Sequence, residues 1–374
     1  MALPGCLPAS EVMQVRNLVM CLLVLPVGFG LAQPTTPDQR PWETWTPPTV
    51  ALPVPNGYDT YLTAFDLKRQ IDRVNHLPSP SEARPVPPWA PGPPPVLDPW
   101  GEGPPDKSLR QRVALYADVL GLVREALSQP CRVPPPESLG DDLLPFYSGF
   151  QAVARLLAME SAASRDEGRF GAAANSGSDC LEMAQDVATR RTLLAFPAGE
   201  SIEETGGAAV DAALPHLSAA ECKALLARLA RVEAKRVSLN EVADGEDRMW
   251  RIWFKDAVRI LGVARSPAVL PPLPGLTATD QDHMTWQEAW QAMGAYFTAL
   301  RRRADDPSYS ARKPPTARDA LVPPEPSGHD LNRVFFKDAQ ARAMSRLRIA
   351  TVAARAYALE QHRLPVGLAD LAHL

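Results

Sequence analysis

The chain has 374 residues, 45% hydrophobic and 22% charged, enough apolar matter for one large or two ordinary domains and too much for a globally disordered polymer. A net charge of -4 with a pI near 5.9 supplies no field for nucleic acid, and no basic tail or RNA-binding signature offsets it. The 40 prolines crowd into a few tracts, which divide the chain into a proline-rich N-terminal part and a helical remainder.

Leu18 to Phe29 is apolar apart from Cys21, Pro26 and Gly28, follows Arg16, and runs into Gly30-Leu31-Ala32 before Gln33. A basic residue, a short apolar run and small residues at its end make the pattern of a secretory leader. Residues 1–32 are therefore read as a signal peptide, with the mature chain expected to begin near Gln33. An uncleaved anchor and a buried core segment are the other readings, and the run falls short of the ~20 apolar residues of a comfortable membrane span. Met13 offers the leader a shorter basic start than Met1. Cleavage would leave Cys131, Cys180 and Cys222, an odd number without metal-ligand spacing, read as small core residues or as one disulfide and a thiol. Arginine far outnumbers lysine, and alanine and proline are abundant, a bias that suggests a GC-rich bacterial genome.

Residues 33–107 form the proline-rich region. From Gln33 to Asn56 prolines recur around Trp42 and Trp45 without apolar periodicity, which reads as an extended tether or an arm laid on the body. One helix, over 57–76, interrupts the region, with Tyr58, Tyr61, Leu62, Phe65 and Ile71 on or near one face. Pro78 to Pro105 reads as a polyproline-II spacer, with a ligand for a proline-recognition module as the alternative.

Residues 108–374 read as an α-helical domain. Ser108 to Ser128 is predicted as one helix, apolar on two sides and hence sandwiched between neighbours. Leu143 to Arg165, carrying Phe146, Phe150, Val153 and Leu157 inward, and a second helix to about Arg191 make a hairpin turned at Gly168 and Gly171. The second helix is expected to loosen at Asn175-Ser176-Gly177. Ser/Thr-x-x-Glu boxes at Ser201, Ser218 and Thr285 predict helices over 201–214, 218–238 and 285–304, and another spans Asn240 to Gly262. The last and longest, Asp330 to Arg363, carries Phe336, Ala343, Leu347, Ala350, Ala354 and Tyr357 at three-four spacing. It is read as the buried spine of the body, with Leu364, Leu368 and Leu371 folded back as a cap. No period-two strand pattern persists. The fold class is all-α, an irregular helical array or bundle of antiparallel helices with a proline-rich N-terminal region.

No zinc spacing, nucleophile elbow, phosphate-binding loop or dinucleotide fingerprint occurs, so no catalytic residue, metal ligand or cofactor is assigned. Asp280-Gln281-Asp282-His283 has residue types that suit a metal, but acidic residues at a helix start are expected from the dipole alone. Two aromatic groups, Trp250-Trp253-Phe254 and Trp286-Trp290-Tyr296-Phe297, lie at helical spacing. Core packing is the ordinary account; the functional one is a groove in which Trp250, Trp253, Trp286 and Trp290 stack on an apolar peptide or a glycan. Arg301, Arg302, Arg303, Arg342, Arg346, Arg348 and Arg355 read as solvated helix faces, with an anionic envelope polymer as the alternative contact.

The C-terminal text Ala358-Leu359-Glu360-Gln361-His362-Arg363-Leu364-Pro365, with Leu368 and Leu371, resembles a segment of uncharacterised exported helical proteins of bacteria. Tyr357, Leu364, Pro365, Leu368 and Leu371 match that pattern, and His362 stands where the family has glycine. Asn56-Gly57-Tyr58-Asp59 and Ala117 to Pro130 resemble the same family, so the likeness spans most of the mature chain; it implies export and supplies no activity. A related segment occurs in type II secretion pseudopilins, which implies an envelope setting, although their leader, with a processing glycine before Phe and a nearby Glu, is absent here. The hairpin from Phe150 to Arg191 resembles a tetratricopeptide unit, but no second copy follows. The text is expected to continue past Leu374.

The resulting expectation is an exported binding or scaffold protein of the bacterial envelope, extracytoplasmic whether periplasmic, secreted or membrane-anchored. Its expected partner is an envelope protein or polymer rather than nucleic acid, with membrane contact only through an uncleaved leader. The alternative is a hydrolase whose acidic site gathers Asp280, Asp282 and Glu203 or Glu204.

Overall fold

The computed structural model describes residues 40–75, 107–135, 144–190, 192, 195–262, 284–304 and 331–371. Among them are eleven α-helices, two short 3-10 turns and no strand, so the all-α expectation holds. The leader, the Pro78 to Pro105 tract and the Asp280 to His283 start lie outside the described residues. None of the described helices is long and apolar enough to cross a membrane.

The proline-rich region contains two described helices, α1 (Pro41–Thr44) and α2 (Gly57–Val74), where sequence predicts one. Pro41 opens α1 because its fixed φ suits the first helical position and its missing N–H is not needed there. Asn56 caps α2 and also fixes it in space. Its Oδ1 accepts from the Tyr58 N–H at 3.3 Å and the Arg132 N–H at 3.0 Å, while its Nδ2 donates to the Arg132 carbonyl at 2.9 Å. Gly57 completes the junction, since a Cβ there would lie 2.5 Å from the Ala126 carbonyl oxygen.

The single helix predicted over 108–128 is two helices, α3 (Leu109–Leu115) and α4 (Ala117–Ser128). Tyr116 leaves helical geometry at φ -107°, ψ 18°, and its hydroxyl donates to Asp72 Oδ1 at 2.7 Å. The predicted burial on two sides is not present: Tyr116, Val119, Leu120, Val123 and Ala126 share one buried face, and Ala117, Asp118, Gly121, Arg124 and Glu125 are exposed.

Three helices make the centre: α5 (Leu144–Asp166), α6 (Phe170–Ala188) and α7 (Ala195–Ala213). Gly168, at φ 72°, turns α5 into α6. Most of α6 is buried, and it is continuous through Ser176-Gly177-Ser178 rather than loosened. Its hydroxyls return to carbonyls one turn back, Ser178 to Ala174 at 2.9 Å and Ser176 to Ala172 at 3.3 Å, so they are not orphaned by burial. Glycine lets α6 and α7 touch backbone to backbone: a Cβ on Gly206 would lie 2.7 Å from the Gly177 carbonyl oxygen. The Ser201 box is not a helix start. Helix α7 begins six residues earlier, where Thr192 Oγ1 accepts the Ala195 N–H at 3.1 Å.

The remaining helices are α8 (Ala219–Ala234), α9 (Leu239–Leu261), α10 (Trp286–Ala304) and α11 (Leu331–Gln361). Ser218–Glu221 and Thr285–Glu288 form the predicted capping boxes, and Ser238–Glu241 and Ser108–Gln111 form two that were not expected. Cys131, Cys180 and Cys222 are unlinked, the last two as buried core residues.

The long C-terminal helix is present, but the predicted stripe is its buried face only at Tyr357. Phe336 and Leu347 are exposed, Leu347 by 59%, and α6 is the spine instead. Helix α11 lies on α7 and α8 through Asp338, Ser345, Arg348, Val352, Ala356 and Tyr357. Arg348 crosses α7 above Gly207 and donates to Asp211 at 2.9 and 3.1 Å. Arg342 pairs with the fully buried Asp338 and reaches the Val237 carbonyl, so these arginines are docking groups rather than a solvated face. The helix stops at Gln361 because His362 takes the left-handed φ of 53°, the conformation glycine adopts most easily. Leu364 is 76% exposed and does not fold back as a cap.

Candidate functional site

The aromatic residues of α9 and α10 were the sequence's best candidates, and the structure separates them into two pairs. Phe254 sits at the centre of one group, with the Trp286 and Trp290 rings each 5.3 Å from it. Both tryptophans are buried, at 5% and 7% exposure. Trp250 and Trp253 stack edge-on at 5.4 Å and are half-buried, packed against the core of Tyr61 and Phe150, with Trp250 also touching the Phe254 group. The four indoles therefore do not line one open wall.

What covers the Phe254 group is the chain's own N-terminal arm. Trp42 is buried 5.7 Å from Phe254, and Trp45 meets Trp290 edge-on at 5.7 Å. Lys255 donates to the Trp45 main-chain carbonyl at 2.7 Å and lies over its ring. Arg251 rests on the Trp290 face, 4.6 Å from the ring centre, held by Asp247. Sequence reasoning missed Trp42, Trp45, Arg251 and Lys255 as part of this site. The available signal was a pair of tryptophans amid prolines, whose burial nothing local explains. The indole N–H groups of Trp42 and Trp286 find no acceptor among the described residues despite burial.

A second feature is an open trough of about 610 Å³ between α3, α4, α5 and α6, bordered by Arg110, Arg124, Glu160, Glu167, Arg169 and Ser176. Its charges are largely matched to one another. Arg124 pairs with Glu160 and with Asp179, and Arg228 with Asp179 and Glu182. This network ties α8 to the centre of the fold.

The acidic residues offered for a hydrolase are not gathered. Glu203 is held by Arg236 at 2.6 and 3.0 Å, Glu204 by Lys337 at 3.1 Å, and Asp280 and Asp282 lie outside the described residues. Two other carboxyls are perturbed. Burial pushes Asp186 up to about 7, only partly opposed by the Tyr61 hydroxyl that donates to it at 2.9 Å. Burial likewise raises Glu200 to about 8. An acid whose folded value exceeds its unfolded one binds more protons when folded, so its contribution to stability falls as pH rises between the two values. Asp186→Asn is accordingly expected to gain stability relative to wild type as pH increases from about 4 to about 7. Urea midpoints of the two proteins across that range measure the gap, and a constant gap would show that Asp186 is ionised in the folded state.

No protein-family model, curated protein or solved structure matches the chain.

Proposed function

We propose that the chain is an exported binding or scaffold protein of the bacterial envelope. The observation that carries this reading is the arm on α9 and α10: a short segment, one helical turn at Pro41–Thr44 and extended chain at Trp45, held by two indoles and one main-chain hydrogen bond, as a surface holds a peptide. The leader pattern of Leu18 to Phe29 supplies the reason to place that surface outside the cytoplasm.

The test is fractionation of the native host with capture on the tagged full chain. The protein is expected in the extracytoplasmic fraction with its N-terminus near Gln33. Trp45→Ala, which loosens the arm, is expected to capture more of the same envelope component than wild type does. A cytoplasmic protein beginning at Met1 overturns the export reading, and equal capture by both proteins overturns the role of the groove.

A further inference from the structure

We propose that the aromatic groove of α9 and α10 recognises short segments in which tryptophan stands beside proline, and that Arg40 to Val50 is its resident occupant, displaced when a partner segment of this chemistry arrives. The inference rests on the reading of the chain as a binding protein and names the class of ligand.

The arm displays what the groove selects. Trp42 and Trp45 deliver flat apolar area against Phe254 and Trp290, while Lys255 reads a main-chain carbonyl that any peptide possesses. Pro41, Pro47 and Pro48 flank the two indoles and restrict the segment before it binds, which lowers the entropy lost on docking. Arg251 backs the Trp290 face and is held there by Asp247, so that wall is built independently of the arm.

The resident occupant is also an imperfect one. Trp42 and Trp286 each bury an indole N–H with no acceptor among the described residues, although Trp286 is only 5% exposed. An unmet buried donor weakens the hold of the arm, and a segment that presents a carbonyl to Trp286 recovers that loss. Thr46, Pro47, Pro48 and Thr49 are all exposed, so lifting the arm uncovers little along its tether. The arm's advantage is its high effective concentration, which a free segment must overcome.

The probe is a fluorescent peptide with the sequence of Arg40 to Val50, followed by anisotropy. Full-chain Trp45→Ala is expected to bind it at least about tenfold more tightly than wild type, because the tethered competitor is weakened. A control peptide with both tryptophans replaced by alanine is expected not to bind either protein. A variant with a native circular dichroism spectrum and no gain over wild type overturns the proposal, as does equal binding of the control. If Trp45→Ala unfolds, a full chain carrying a protease site in place of Thr46 to Thr49 serves instead. Cut after folding, it keeps every groove residue and should exchange its arm for the labelled peptide; retention of the arm through dilution, with no uptake, overturns the proposal. Loss of peptide uptake in a protein that is still exported and still captures an envelope component removes the ligand class alone. Failure of export removes the functional reading whatever the peptide does.

Discussion

Phe150→Ala is expected to cost about 3 to 5 kcal/mol, enough to unfold a marginal domain, as truncation of a fully buried aromatic does. Phe150 is fully buried and is the meeting point of α2 and α5. Its ring lies 4.9 Å from that of Tyr61 and 4.8 Å from that of Phe65. Removing it deletes both aromatic contacts and leaves a hole that rigid neighbours cannot fill. The Phe65 ring is already pressed on Gly149, where a Cβ would approach within 2.7 Å. Urea unfolding measures the loss, and a change below about 1 kcal/mol would mean that α2 is not docked on α5 in solution.

Arg348→Ala is expected to cost about 1.5 to 3 kcal/mol, the scale of hydrogen bonds to a charged partner, while Leu347→Ala stays within about 0.5 kcal/mol. Arg348 is 8% exposed and bound twice by Asp211, whereas its neighbour Leu347 is 59% exposed. The cost remains below that of breaking a fully buried pair because Asp211 retains contact with water. Alanine is the best helix former, so helix propensity cannot explain a loss at either position. Thermal unfolding of the two variants side by side decides the matter, and the reverse order would return the buried face of α11 to the apolar stripe.

That inverted expectation marks the limit of what local sequence carries. The helices themselves were legible, because their starts at Ser218 and Thr285 are written in hydroxyl–carboxylate boxes and their apolar spacing is helical. The motif also misled: Ser201 and Glu204 have the right spacing inside α7, but Thr192 had already opened that helix. Helix α11 failed for a different reason. Its apolar residues are periodic, yet the face that docks joins Val352, Ala356 and Tyr357 to polar Asp338, Ser345 and Arg348, since arginine can bury its stem when another helix supplies the carboxylate. Asp211 is 137 residues away, and nothing near Arg348 announces it. The aromatic site was half legible for the same reason. Trp286 and Trp290 were found on their own helix, but the arm that covers them belongs to the other end of the chain.

That distance also orders events in time. Lys255 grips the Trp45 carbonyl across 210 residues of sequence, so the arm has no docking place until α9 and α10 exist. A chain made from its N-terminus carries Trp42 and Trp45 uncovered through most of its synthesis, and closing so long a loop contributes nothing to the earlier collapse of α2 to α7. Arm docking therefore follows the formation of α9 and α10. Until it occurs, the Phe254 group lacks the cover of Trp42 and Trp45, and the nascent protein passes through a state in which that face is free to meet another molecule.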